Sequence, residues 1–301
     1  MIDRAGVEKR ACECCQGIKN EYDRLLLQQQ ASWRRSVAGH GNARTRCKAK
    51  LTGDFLMAIV VDPKHNHLLA ALPEAEWQRW RPQLQWIELP LGKVLYESGA
   101  QQSYLYFPTT AIVSLLYVME NGASAEIAVI SREGLVGIAL FMGSESTPNR
   151  AVVQSAGQGF MLGAQAIKDE FTRAPVLHLL LRYTQALITQ IAQTAVCNRH
   201  HSLDQQLCRW LLLSLDRLEC NELVMTELIA NMLGVRRESV TESACKLQKL
   251  GLIHYSRGRI TVLDRPALEK RSCECYAVVK KEYERLLPAG SRLVRPNLDV
   301  D

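Results

Sequence analysis

Apolar residues along this chain change their period from one stretch to the next. Between Trp86 and Ala166 they come in short runs (WIELPLGKVLYES, SYLYFPTTAIVSLLYVM, SAEIAVIS, GLVGIALF, RAVVQSAG and GFMLGA), with glycines at 92, 99, 122, 134, 137, 143, 157, 159 and 163. Short β-rich runs with regular turn signals predict a compact barrel or double-sheet roll. In front of them, residues 66–83 (NHLLAALPEAEWQRWRPQ) predict short lead-in helices. From Phe171 to Arg199 the spacing becomes helical, with Leu180, Tyr183, Leu187, Ile191 and Ala195 recurring at steps of three and four. Such a stripe on a helix joining two domains suits a seam between two subunits. The alternative is packing against its own roll.

Residues 225–263, MTELIANMLGVRRESVTESACKLQKLGLIHYSRGRITVL, read as helix, glycine turn, helix and two-stranded ribbon. Ile229, Met232 and Leu233 give the first helix an apolar face, and Gly234 supplies the turn. Val240, Ala244 and Leu247 form the inner face of the second helix. The strand pair Leu252–Ser256 and Arg259–Leu263 follows, with Gly258 at its tip. This order of signals predicts a winged helix-turn-helix, whose second helix points its first turns at base edges.

Arg236, Arg237, Glu238, Ser239 and Thr241 occupy those turns, with Glu242 next. Arginine pairs bidentately with guanine and glutamate accepts from cytosine, each good pair discriminating by roughly 1–3 kcal/mol. Thr226, Lys246, Lys249, Arg257 and Arg259 are expected at phosphates, which position without reading sequence. Between residues 236 and 259 six Lys/Arg stand against Glu238 and Glu242, a local balance of +4. A small helical pair with a merely solvated basic face is the plain alternative.

Charge and composition change this picture little. The formal net charge is +6, but residues 1–56 hold eleven Lys/Arg and six Asp/Glu, so +5 of it lies there. At 301 residues, 47% hydrophobic and 23% charged, the chain is long enough for two globular domains. The longest apolar stretch, Val176 to Val196, is broken by His178, Arg182, Gln185, Gln190 and Gln193 and does not suit a membrane span. With no charged-then-apolar leader, cytoplasmic residence is expected. No nucleophile elbow, H-E-x-x-H, Walker loop or G-x-G-x-x-G occurs, so no enzyme is expected, and His200-His201 reads as a hinge between the long helix and the reader.

The ten cysteines fall at 12, 14, 15 and 47, then at 197, 208, 220 and 245, then at 273 and 275. They offer C-x-C and isolated positions rather than paired C-x₂₋₄-C, so unremarkable thiols and no metal are expected, with a zinc or cluster site as the minority reading.

Residues 2–26, IDRAGVEKRACECCQGIKNEYDRLL, align without gaps to residues 263–287, LDRPALEKRSCECYAVVKKEYERLL, and fourteen of the 25 positions are identical. Matches running through R-x-C-E-C and E-Y-x-R-L-L indicate true duplication. Residues 28–50 after the first copy lack hydrophobic periodicity and read as a spacer. Residues 1–56 are therefore expected to be the tail of a neighbouring paralogue fused or read through, with Met57 as a natural start. The rival reading is an authentic extra helix that docks where its C-terminal twin docks.

Roll, long helix and winged reader, in this order and sharpest at LGVRRESVTES, resemble the cyclic-AMP receptor/fumarate-nitrate regulator superfamily of bacterial transcription factors over about residues 66–288. The resemblance implies an α+β chain with an effector β-roll and its lead-in helices (57–170), a dimerisation helix (171–200) and a DNA-binding domain (201–288), to which the duplication adds an extension (1–56) and beyond which a tail (289–301) remains. It implies base contacts at Arg237 and Glu238, with Glu242 where the cyclic-AMP receptor has a third base-contacting arginine and Arg236 where it has a serine cap. The effector positions align with Gly137-Ile138-Ala139 and Asn149-Arg150-Ala151. Ile138 cannot accept from a ribose hydroxyl, although the Arg150 fork suits a phosphate, so cyclic AMP is not the expected ligand. No cysteine lies between Met57 and Val196, so no iron–sulfur cluster on the roll is expected, nor haem through His65 or His67.

The combined expectation is a homodimeric, sequence-specific regulator that binds double-stranded DNA, with RNA polymerase as a candidate partner and no membrane. The competing reading is a ligand- or redox-sensing scaffold with a degenerate reader.

Overall fold

In a computed structural model, residues 62–168, 174–218, 220–224, 228–256 and 258–288 are described. The first copy of the duplication, with Cys12, Cys14 and Cys15, as well as Cys47, Met57 and the expected phosphate contacts Thr226 and Arg257, lies outside them. The expected α+β architecture is present.

Two short lead-in helices, α1 (His67–Ala70) and α2 (Glu74–Trp80), precede the strands. Asn66 caps α1 by accepting from the amides of Leu68 and Leu69. Its buried side-chain amide donates to the carbonyls of Pro108 and Gly134, which fastens the lead-in to the roll.

The roll consists of β1 (Gln85–Leu89), β2 (Val94–Tyr96), β3 (Tyr104–Pro108), β4 (Ile112–Val118), β5 (Ser124–Ile130), β6 (Arg150–Ser155) and β7 (Gly157–Gly163). They form two antiparallel sheets, ordered β1-β7-β3 and β2-β6-β4-β5. Leu105 and Phe107 alternate inward on β3, as expected of a sheet with one wet face. β4 is buried from Ile112 to Leu116, because it lies between β5 and β6 in a sheet that also has the long helix and the reader packed against it. The run GLVGIALF, expected as a strand, is not one. It gives an isolated bridge from Val136 to Tyr106 and a single turn over Ile138–Leu140, since Gly137 at φ +108 turns the backbone just after Gly134 passes under the Tyr183 ring of the long helix.

After α3 (Ala164–Lys168) comes the long helix α4 (Ala174–His200). Here the expected stripe divides, with Ile191 half-buried and Ala195 exposed. Leu180, Tyr183 and Leu187 are fully buried within this chain rather than on a subunit seam. The Tyr183 hydroxyl donates to the Leu135 carbonyl, and its ring fills the space above Gly134, where a Cβ would stand 2.5 Å from a ring carbon. Only hydrogen at that position lets helix and roll approach so closely. A second row on α4, Leu181, Ile188 and Val196, is 46–56% exposed.

The reader begins with α5 (Leu203–Leu215), opened by a reciprocal Ser202–Gln205 capping box. β8 (Glu222–Val224), α6 (Leu228–Leu233), α7 (Arg237–Lys249), β9 (Ile253–Ser256) and β10 (Arg259–Val262) complete it. The ribbon has a third strand that the sequence pattern does not reveal: the order is β8-β10-β9. Helices α8 (Arg265–Arg271) and α9 (Glu274–Leu286) return, and α9 packs along α4. No helix among the described residues is long and apolar enough to cross a membrane.

Candidate nucleic-acid interface

The interface rests on α7. Val240, Ala244 and Leu247 are buried against the rest of the reader, as their spacing predicts. Ser243 on the same face donates to Asp204 Oδ1 of α5 at 2.7 Å and fixes the rotation of the helix. Gly234 at φ +65 makes the turn from α6. The outer face is thereby set: Arg236, Arg237, Glu238 and Glu242 are exposed, and Ser239 and Thr241 are half-buried. All six expected base-reading positions are brought together on the first turns of one helix.

Arg236 occupies the N-cap without a side-chain cap bond, unlike the capped starts of α5 and α8. An N-terminus not closed by its own side chain keeps its partial positive charge available to a phosphate. Glu242 and Lys246, expected at a base and a phosphate, pair with each other at 3.1 Å across one turn, and this contact raises the Lys246 pKa. Arg259 pairs with Glu222 on the neighbouring β8, and Lys249 is exposed. Exposed pairs of this kind are worth little and exchange readily for a phosphate.

A second site lies between roll and long helix. Gly137, Ile138 and Asn149 line a cavity of about 60 Å³ closed by Leu187 and Ile191 of α4. The Tyr96 hydroxyl donates to Asn149 Oδ1 at 2.8 Å. Arg150 is not in the lining; it pairs with Glu97 at 3.0 Å. A drug-sized ligand pocket usually measures roughly 300 Å³ or more. A larger cavity, about 480 Å³, separates roll from reader between Leu91, Gln154, Trp210, Ile229 and Met232.

A third arrangement escaped the sequence pattern. Cys197 and His201, at the end of α4, meet Cys273 and Cys275, at the junction of α8 and α9. Sequence spacing hides it because 76 residues separate the two halves. The signal that could have found it is the R-x-C-E-C motif shared by both copies of the duplication. The hydrogen bond between the Cys197 and Cys273 thiols pushes Cys273 down to about 5 and Cys197 up.

Residues 205–271 match the family model of the Crp-like helix-turn-helix domain. No curated protein matches the chain. Among solved structures, the chain is similar to a transcriptional regulator of the crp/fnr family from Eubacterium rectale, at 21% identity over 69% of this chain and 98% of that one, with a TM-score of 0.56. A CRP-family transcriptional regulator from Thermus thermophilus shares 19% identity over 62% and 96%, TM-score 0.53. The c-di-GMP-responsive global regulator CLP of Xanthomonas campestris shares 14% over 64% and 100%, TM-score 0.51. At these identities the likeness is one of fold.

Proposed function

We propose that the chain is a transcription regulator of the Crp/Fnr kind that binds specific DNA sequences as a homodimer, with α7 in the major groove; its Crp-like helix-turn-helix domain and its fold support this reading. The observation that carries this reading is the division of α7 into a buried face, pinned by Ser243 to Asp204, and an exposed face holding Arg236, Arg237, Glu238 and Glu242. Arg237 and Glu238 read bases, while Lys246, Lys249 and Arg259, with Thr226 and Arg257, meet phosphates.

The test begins with selection of bound duplexes from a random pool, with and without cell extract. Arg237→Ala should then relax preference at one base pair by roughly 1–3 kcal/mol. Lys246→Ala should weaken specific and random duplexes alike and flatten the salt dependence by about one unit of slope. Equal losses on both kinds of DNA for both variants would overturn the assignment.

Dimerisation runs through the outer row of α4. Leu181, Ile188 and Val196 spread apolar surface over four turns of helix on the side away from the roll, and paired half-sites about one DNA turn apart call for two readers. Leu181→Glu combined with Ile188→Glu should give a monomer by sedimentation while the circular dichroism spectrum stays unchanged. A wild-type chain that sediments as a monomer at micromolar concentration refutes the seam.

The roll cavity is the effector site, and its ligand is not a cyclic nucleotide. Ile138, where the resemblance implies a ribose contact, offers no acceptor, and Arg150 is paired with Glu97 rather than lining the cavity. The ligand would act by binding two geometries of the protein unequally.

A further inference from the structure

We propose that Cys197, His201, Cys273 and Cys275 form a four-coordinate site for a single zinc-like divalent cation, tying the end of α4 to the tail of the reader. The inference rests on the geometry of these four residues and holds whether or not the chain reads DNA.

The four donor atoms lie within 4.8 Å of one another. Cys197 Sγ is 3.5 Å from Cys273 Sγ, and Cys275 Sγ is 3.6 Å from His201 Nδ1. A tetrahedral zinc, with bonds of about 2.3 Å to sulfur and about 2.05 Å to nitrogen, sets sulfur–sulfur edges of about 3.8 Å and sulfur–nitrogen edges of about 3.5 Å. The side chains thus already stand close to the separations that one ion imposes. An iron–sulfur cluster spreads its cysteines around several irons on a larger frame, so this spacing selects a mononuclear ion. A Cys197–Cys273 disulfide would use two of the four groups and leave Cys275 and His201 without a role.

The surroundings fit as well. The three cysteines are buried and form a cluster of their own, apart from the main apolar core, so they do not serve simply as small apolar side chains. His201 Nε2 lies 3.3 Å from Glu274 Oε2. When Nε2–H donates to that carboxylate, the lone pair of Nδ1 faces the sulfurs, which is the carboxylate–histidine–metal arrangement found around zinc. The duplication keeps the same unit, since Cys12, Glu13 and Cys14 match Cys273, Glu274 and Cys275, although the preceding Ala11 and following Cys15 differ from Ser272 and Tyr276.

Binding converts the three thiols to thiolates and releases their protons, so affinity rises with pH. The ion would fix the hinge at His201 from which α5 and the reader hang.

The test uses the full chain, purified anaerobically with reductant, elemental analysis of the protein as isolated, and titration with cobalt(II) followed by zinc(II). Expected are one ion retained per chain, thiolate-to-cobalt absorption with the intensity of three thiolates, and displacement of cobalt by zinc. A variant with Cys12, Cys14 and Cys15 all changed to Ser keeps the site. Glu274→Gln weakens it about 10–100-fold without moving the spectrum. His201→Cys still binds and shifts the cobalt spectrum to that of four thiolates, a readout that survives even if Cys273→Ser fails to fold. Four results would each overturn the proposal: a reduced protein with no thiolate–cobalt band, iron accompanied by acid-labile sulfide, metal lost with the Cys12/Cys14/Cys15 variant, or a Cys197–Cys273 disulfide recovered after alkylation in intact cells.

Discussion

Arg217→Ala should cost about 3–5 kcal/mol of stability in denaturant melts, the usual penalty for stranding one member of a buried ion pair. Arg217 and Glu133 are both fully buried and bond at 2.7 Å. The guanidinium also donates to the Leu213 carbonyl and to Gln190 of the long helix, and it lies 6.0 Å from the Tyr283 ring of α9. Roll, long helix, reader and tail therefore meet at one side chain. Removing it leaves the Glu133 carboxylate in the interior without its counter-charge. The double variant Arg217→Met with Glu133→Leu should recover most of the loss, because no charge is then left unpaired. A single variant that loses less than about 1 kcal/mol would mean that water reaches the pair.

Glu126→Gln should stabilise the chain above neutral pH and do little near pH 4.5. Burial pushes the Glu126 carboxyl up from 4.5 to about 7, a rise that the Ser114 hydrogen bond and the Arg209 and Arg217 charges offset only in part. The folded form therefore holds this proton more tightly than the unfolded one. The resulting stability is complete below pH 4.5 and is lost as pH rises towards 7, a change of about 3 kcal/mol at 1.36 kcal/mol per unit. Glutamine has no such proton to lose, so the variant's advantage should grow across that window and level off above it. Chemical denaturation of both proteins from pH 4.5 to 8.5 measures it. A constant difference across the range would show that Glu126 is already solvated.

Much of the architecture was legible because periodicity and turn chemistry are local. Val240, Ala244 and Leu247 announced a buried face, Gly234 a turn, and the glycine-punctuated runs a roll. Tertiary context decided the rest. The α4 stripe has the spacing of a seam, yet Leu180, Tyr183 and Leu187 are claimed by the chain's own roll, and the exposed apolar row is offset by one residue. Strand β8 is three residues long and has no period of its own. Glu133, Arg217 and Glu126 look like surface charges in sequence, and only the fold shows them inside. The thiol cluster needed the end of α4 brought together with the junction of α8 and α9.

Leu187 and Ile191 form one wall of the small roll cavity, and Ile188, their neighbour in the chain, faces outward. A molecule filling that cavity would push on the back of the same helical turn whose front carries the exposed row. Such a signal would need no long relay: a slight screw of α4 about its own axis would re-aim the outer side chains directly. Sensing and response would then be two sides of one rigid rod, and stiffness in α4, more than any chain of contacts, would set how faithfully the signal arrives.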